Sequence, residues 1–326
     1  MRGKGTMAEV DRRLPVGDEI FLDHVAHFVV DHERASRALA RVGFAPTPVS
    51  VQVNHDPVDG SPRPTGTGNV TCMLDRGYLE ILFKTSDTPL SREFDAAISR
   101  YHGVHLVAFA VADATVMRAR LNRAGFQMQP LVEMQRPVMT TTGEDIAAFS
   151  IVRVAPGEMP EGRIQALTHR TEHAVWQPRW ISHPNGACGL ADIVIAEADL
   201  DEAASRFCRF LGRGAQVNAF GPAFHLDRGR VQLVDAAALT RLFPDLPIPR
   251  LPFIAAYGIA TALRRTTACL RVGQIAFEER GDRVIVPFPD ELGVGRWVFV
   301  ERAAALPWRK SERVAVRKVN VWRARN

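Results

Sequence analysis

The sequence predicts an α+β protein built of four βαβββ modules. Three observations carry this. A short apolar run with a histidine near its start, a helical stretch and then Gly-Phe occur twice, at Asp23–Phe44 and Gly103–Phe126. Two weaker copies follow, starting near Gly189 and Ala256. Four segments opening on glycine can be laid over one another as closing strands: Gly77–Leu82, Gly162–Leu167, Gly229–Val234 and Gly295–Val300. A repeat of this kind is sought before any single motif, because it fixes the architecture.

The elements follow in order. In unit one, Leu22–Val30 is apolar and β-branched, so it reads as a strand. A helix over about Glu33–Val42 ends at Gly43-Phe44. The stretch Asn54–Asn69 is dense in Gly and Pro and is expected to lack regular structure. Strands Val70–Leu74 and Tyr78–Phe83 flank the turn Asp75-Arg-Gly77. Unit two opens at Val104, has a helix from about Ala114 to Ala124, and continues with strands near Gln129–Met134, Ala147–Val154 and Arg163–Leu167. Unit three has a strand from Gly189, a helix over about Leu200–Leu211 stopped by Gly212, and strands at Ala223–Leu226 and Arg230–Val234. Unit four has a strand near Ala256–Leu263, a helical piece ending at Val272-Gly273, and strands at Ile275–Glu279, Val284–Pro287 and Arg296–Val300.

Composition narrows the class. With 326 residues, 46% hydrophobic and 24% charged, the chain suits two soluble domains with sizeable cores. No apolar run approaches the ~18 residues of a membrane span. The N-terminus lacks the apolar segment of a secretory signal and is expected to be flexible. Cys72, Cys188, Cys208 and Cys269 have no paired spacing. Reduced thiols and a cytoplasmic location are therefore expected. The net charge of +5 is mild. Arg309, Lys310, Arg313, Arg317, Lys318, Arg323 and Arg325 face only Glu312, and this tail is expected to be a solvated segment rather than a nucleic-acid arm.

One position in each closing strand varies: Glu80, Gln165, Gln232 and Val298. The opening strands carry His24, His105 and Ala191 at the place judged to match, with no match fixed in unit four. The separation is 80 − 24 = 56 residues in unit one and 165 − 105 = 60 in unit two. Side chains alternate across a strand, so Glu80 and Gln165 face away from the helices. If units one and two pair side by side, His24, Glu80, His105 and Gln165 converge on one concave face. Two imidazoles and a carboxylate are a common set for a first-row divalent ion, with an amide oxygen as a fourth donor. Glu80 is the candidate catalytic group, able to bind metal and carry a proton. His27 lies one strand face away and reads as structural. Arg63 and the amides of Gly66–Asn69, with the side chains of Thr67 and Asn69, are candidates for binding substrate oxygens. His169, His173 and His183 lie near the end of unit two; His169 is a candidate pocket residue, and one of the three is the alternative to Gln165 as the fourth ligand. Trp176 and Trp180 read as packing between the halves.

Leu22-Asp-His-Val25, Gly66-Thr-Gly-Asn69, Gly77-Tyr-Leu-Glu-Ile-Leu82 and His105, in that order, resemble the vicinal oxygen chelate superfamily and within it the glyoxalase-like domain proteins. Trp176–Trp180 and His183–Ala187 resemble their link into the second half. The resemblance covers about residues 20–170. It implies paired βαβββ modules forming two cupped mixed sheets with helices outside, and one divalent metal ion (Zn, Fe, Mn, Ni or Mg) that chelates adjacent oxygens of a small-molecule substrate. It divides the chain into a flexible N-terminus (1–19), a metal-binding domain of modules one and two (20–182), a degenerate second domain (183–303) and a basic tail (304–326). Two departures matter. Gln165 stands where the family places a second carboxylate. The second pair of modules, with Ala191, Gln232 and Val298, lacks the set that four-module extradiol dioxygenases keep there. The expected activity is a metal-dependent lyase or isomerase acting through an enediolate. A non-haem Fe(II) dioxygenase and a non-catalytic small-molecule binding protein stand as alternatives. A homodimer is compatible with the site but not required, since both modules lie in one chain.

Overall fold

The computed structural model describes residues 12–55 and 61–309. Most of the expected N-terminal lead-in and the tail beyond Arg309 lie outside the described residues. The first half runs β1 (Ile20–Val29), α1 (His32–Arg41), β2 (Ser50–His55), β3 (Pro62–Met73), β4 (Tyr78–Lys84), α2 (Pro89–Arg100), β5 (Gly103–Val111), α3 (Ala114–Arg123), β6 (Val132–Thr140), β7 (Gly143–Arg153), β8 (Arg163–His169) and α4 (Glu172–Val175). The second half runs β9 (Gly189–Ala196), α5 (Leu200–Leu211), β10 (Gln216–Asn218), β11 (Gly221–His225), β12 (Arg230–Val234), α6 (Ala236–Leu242), β13 (Phe253–Ala260), α7 (Leu263–Val272), β14 (Glu278–Glu279), β15 (Arg283–Pro287) and β16 (Arg296–Val300).

The helices start where short polar side chains satisfy the free N–H groups of the first turn. Asp31, Asp113 and Asp199 each accept from the backbone of α1, α3 and α5. Thr88 and Ser91 form a reciprocal capping box at α2, which the sequence reading had not identified.

The eight strands of the first half lie in the order β2-β3-β4-β1-β5-β8-β7-β6, and those of the second half in the order β10-β11-β12-β9-β13-β16-β15-β14. The two expected sheets are joined into one, because β13 pairs with β5 at Ile254 and Val104. The central strands are buried on both faces. One face packs on the helices around Val25, Val107, Phe109, Ile193 and Phe207. The other face of the first half lines a cup around Phe28, Tyr78, Leu106, Phe149 and Trp176. In the second half the corresponding cluster includes Val194, Phe243, Leu306 and Trp308.

The stretch Asn54–Asn69 is not irregular as expected. Its described parts belong to the β2–β3 hairpin at the sheet edge, and residues 56–60 lie outside the description. Prolines are tolerated beside an edge strand, and the pairing breaks between Val51 and Val53. Gly66 has φ +76°, and a Cβ there would lie 2.5 Å from Thr88. This glycine lets the strand pass under the cap of α2.

Strand register decides what faces the cup. In β1, Leu22 pairs with Phe109 and His24 with Ala108, so Asp23 is an extra, bulged residue. In β5, Val104 pairs with His27 and Leu106 with Ala26, so His105 is the bulged residue. The β9–β13 ladder bulges in the same way at Ala191 and Ala255. The residues that follow these bulges are His24, Leu106, Asp192 and Ala256. Two residues after each of them, Ala26, Ala108, Val194 and Gly258 pair with Glu80, Gln165, Gln232 and Val298. The register therefore equates His105 with Asp23, and Leu106 with His24. The closing glycines agree. A Cβ on Gly77 would strike the carbonyl oxygen of Asp23 at 2.5 Å, one on Gly162 that of His105 at 2.4 Å, and one on Gly229 would come within 3.0 Å of that of Ala191.

Candidate functional site

The first cup encloses a cavity of about 50 Å³. At about 10–15 Å³ for each water-sized occupant, it holds only a few heavy atoms. Its polar lining comes from β1 (His24), β2 and β3 (Gln52, Asn69, Thr71), β4 (Tyr78, Glu80), β6 (Arg136), β7 (Arg153) and β8 (Arg163, Gln165).

His24 is held from behind. The bulge brings the consecutive side chains of Asp23 and His24 together, so His24 Nδ1 donates to Asp23 Oδ2 at 2.7 Å. The other Asp23 oxygen lies 3.0 Å from His169 Nε2. Burial favours the neutral acid, but the charge and hydrogen bonds of the two histidines outweigh it and hold Asp23 below the usual carboxylate range. Asp23 is thus a buried anion that fixes the His24 tautomer and leaves Nε2 facing the cavity. The ring stacks on Tyr78, with centroids 4.3 Å apart. His24 Nε2 is 3.6 Å from Glu80 Oε2, beyond hydrogen-bond range. The other Glu80 oxygen accepts from Asn69 Nδ2 at 2.7 Å.

Three guanidinium groups face this pair. Arg153 Nε donates to Gln165 Oε1 at 3.1 Å. Burial, then the neighbouring Arg163 charge, disfavours its cation. Arg163 pairs with Glu93 at 2.5 Å and lies over the Phe28 and Phe94 rings. Arg136 makes no hydrogen bond or ion pair among the described residues. Burial lowers its pKa, while Tyr78 and Glu80 act in the opposite direction.

The expected site residues are distributed as follows. His24, Glu80, Gln165 and Asn69 share the cup. His105 does not join them: as the bulged residue of β5 it lines a separate cleft, where Nε2 donates to the Tyr101 carbonyl at 2.7 Å. A one-residue change of register sends a side chain to another face, and Leu106 occupies the cup position instead. His169 stands behind Asp23, outside the cavity. Thr67 lies one layer back and donates to Gln52, which lines the cup. Arg63 is exposed on β3 and does not line the cup. His183 bridges the Ala45 N–H and the Met73 carbonyl. His173 is on the surface beside Asp145. His27 is structural, bonded to the Leu292 carbonyl and the Tyr257 hydroxyl. Asp23 and the three arginines were not singled out from the sequence. The Asp-His pair opening β1 was the available signal for Asp23. For Arg153, the signal was its place opposite Gln165 across β7 and β8.

These residues do not fit the divalent metal that the resemblance implies. His24 and Glu80 are the imidazole and carboxylate donors in the cup. No group of three or more His, Cys, Asp or Glu able to hold a metal occurs among the described residues. The Gln165 amide oxygen is engaged by Arg153, and Leu106 stands at the fourth corner.

The second cup is filled by the chain itself. Trp308 is fully buried and donates its indole N–H to Asp192 Oδ2 at 2.8 Å. Arg309 donates Nε to the same oxygen at 2.7 Å and pairs with Oδ1 as well. Gln232 is bonded by Asn218, and Val298 is buried.

No helix among the described residues is long and apolar enough to cross a membrane. The sequence matches a family model described as a glyoxalase-like domain over residues 22–211, more than half of the chain. No curated protein matches it. Among solved structures, a hypothetical protein from Staphylococcus aureus aligns with a TM-score of 0.60 at 8% identity, over 86% of this chain and 98% of its own. A mutant of 4-hydroxymandelate synthase from Streptomyces coelicolor aligns at 0.52 and 13%, over 86% and 93%. A Mn(II)-bound glyoxalase from Novosphingobium aromaticivorans aligns at 0.47 and 13%, over 86% and 82%. At these identities the likeness concerns the fold, and the manganese belongs to that glyoxalase. On the family match, the chain belongs to the glyoxalase-like domain family.

Proposed function

We propose that the first cup is the active site of an isomerase or lyase that moves a proton on a small organic anion with adjacent oxygens, using side chains rather than a resident metal. The observation that carries this is the row Asp23–His24–Glu80 facing Arg136, a partly buried cation that makes no hydrogen bond or ion pair among the described residues. A 2-hydroxy or 2-oxo carbonyl compound would place an oxygen on Arg136. His24 Nε2 would take the proton from the adjacent carbon as general base, and buried Asp23 would stabilise the imidazolium. The enolate oxygen would form beside Arg136, where its charge is matched in a desolvated site. For a 2-hydroxy carbonyl compound, return of the proton to the former carbonyl carbon completes an isomerisation through the enediolate; for a 2-oxo compound, return to the same carbon is proton exchange. Glu80, fixed by Asn69, orients the hydroxyl and carries a proton between oxygens.

A cleft of about 460 Å³ adjoins the cup and shares Thr71, Met73, Arg136 and Val175 with it. Val49, Val51, Val138, Met139 and Trp180 line that cleft, so an apolar substituent on the substrate fits there. The dioxygenase alternative needs two histidines and a carboxylate on one face, and His105 lies in another cavity. The non-catalytic alternative predicts stoichiometric binding without exchange.

The test is α-proton exchange in D₂O, followed by NMR over a panel of 2-hydroxy and 2-oxo acids with apolar tails. Exchange should survive chelator treatment and fall about 100-fold or more in His24→Ala. Exchange lost with chelator and restored by one added metal ion would overturn the metal-free mechanism. Tight binding without exchange would support the binding-protein alternative instead.

A further inference from the structure

A second cavity, of about 500 Å³, lies on the other side of Arg153 and Arg163, between α2, β8 and the loop preceding β13. Six ionisable side chains line it: Glu93, Arg100, His105, Arg153, Arg163 and Arg250. Glu93 is the single acid among them, and Arg163 already neutralises it. Arg100 contacts the Pro252 carbonyl weakly, at 3.4 Å. Arg250 has no ion pair or hydrogen bond among the described residues. Arg100, Arg153 and Arg250 therefore face one cleft with no ion pair among the described residues, its one acid being taken by Arg163.

At its floor is His105. Its side chain is 1% exposed, and Nδ1 has no hydrogen-bond partner. A buried polar atom left unpaired costs about 1–3 kcal/mol. Because Nε2 donates to the Tyr101 carbonyl, a neutral ring presents Nδ1 as an acceptor. The cleft thus offers several cationic donors and one buried acceptor. An anion alone satisfies the guanidinium groups but not the imidazole; an anion that also carries a hydroxyl satisfies both.

We propose that this cleft is a binding site for a hydroxylated phosphate monoester, with the phosphate on Arg100, Arg250 and Arg153 and a hydroxyl donating to His105 Nδ1. A dianion offsets most of the excess charge, and guanidinium forks bind phosphate oxygens in pairs. The site shares Arg153 and Arg163 with the wall of the cup but uses none of His24, Glu80 and Arg136, so it stands whether or not the cup chemistry is as described.

The experiment is calorimetric titration of the full chain with inorganic phosphate, glycerol 3-phosphate and propyl phosphate. Glycerol 3-phosphate should bind more tightly than propyl phosphate, which lacks its hydroxyls. That preference should vanish in His105→Phe, which keeps the ring. Arg100→Gln and Arg250→Gln should each weaken all three probes by about tenfold; Arg250 is exposed, so its replacement leaves the fold intact. His24→Ala should leave binding unchanged. The proposal is overturned if none of the probes saturates at millimolar concentration, if the arginine variants bind as wild type does, or if His24→Ala abolishes binding, which would place the anion in the cup.

Discussion

The register around His105 can be tested by restoring what the first cup lacks. Leu106 sits where the repeat places a partner for His24: it pairs with Ala26, which itself pairs with Glu80 on the other side. Leu106→His should set an imidazole into the cup near His24 Nε2 and Glu80 Oε2, which already lie 3.6 Å apart. In the metal-free protein this is unfavourable. A buried imidazole with an unsatisfied nitrogen costs about 1–3 kcal/mol, and the lost packing of a side chain only 2% exposed adds about 1 kcal/mol. With Zn²⁺ or Ni²⁺ the sign changes. A third direct donor should raise affinity by at least the ~100-fold at which supporting residues of metal sites are valued. Metal at about 100 times the dissociation constant then returns about 2.7 kcal/mol, enough to offset the cost. Chelator competition measures the affinity, and thermal unfolding with and without metal measures the linkage. The reasoning fails if Leu106→His gains no affinity, or if His105→Ala removes metal binding from the wild type.

Four further outcomes follow from particular contacts. Burial pushes His27 down from 6.5 to about 4, so the unfolded chain takes up its proton first; stability present at pH 7 should fall by up to about 3 kcal/mol between pH 6.5 and 4 and level off below. Urea titrations of wild type and His27→Gln at pH 7 and 4.5 measure this, the variant showing the smaller loss. Trp308→Ala should cost about 3–5 kcal/mol in chemical denaturation by emptying the second cup, with the first-cup activity retained. Gly66→Ala should destabilise by more than about 1 kcal/mol, since φ +76° and the Thr88 contact both oppose a Cβ. Arg136→Ala should raise KM for anionic substrates about tenfold or more, and Arg136→Lys should recover part of the loss.

Much of the fold was legible because its signals are local. Asp199 and Gly212 bound α5 at Leu200–Leu211, and the apolar runs of β1, β5 and β9 read as strands whichever face they present. Glu80 and Gln165 hold equivalent register positions opposite Ala26 and Ala108, and the glycines before them mark that point in each closing strand. His105 was matched to His24 because both are histidines near a strand start, and alternation counts residues without seeing bulges. The extra residue in each opening strand leaves no mark in composition; it is revealed by the ladder and by the glycine that approaches its carbonyl. The arginines escaped for another reason. Arg136 lies in β6, whose neighbours alternate between exposed and half-buried, so nothing local separates a cup-facing arginine from a solvated one.

The two cups show how one scaffold can resolve the same electrostatic problem in different ways. In the second, the carboxylate of Asp192 occupies the position that His24 holds in the first. Burial raises its pKa, opposed by the hydrogen bond and charge of Arg309. Arg309 and Trp308 satisfy both oxygens from within the chain, and the indole fills the space a ligand would need. In the first cup the buried carboxylate is Asp23, one residue earlier, on the bulge. It is satisfied from behind by His24 and His169, which leaves the cavity free. What remains in front is Glu80, facing three guanidinium groups, of which Arg136 makes no hydrogen bond or ion pair among the described residues. Removing Trp308 would open the second cup without giving it a base, because Asp192 and Arg309 would still pair. Removing Asp23 would leave the first cup open and His24 free to turn. The placement of one carboxylate relative to a bulge thus distinguishes a cup that can bind from one that serves as an anchor.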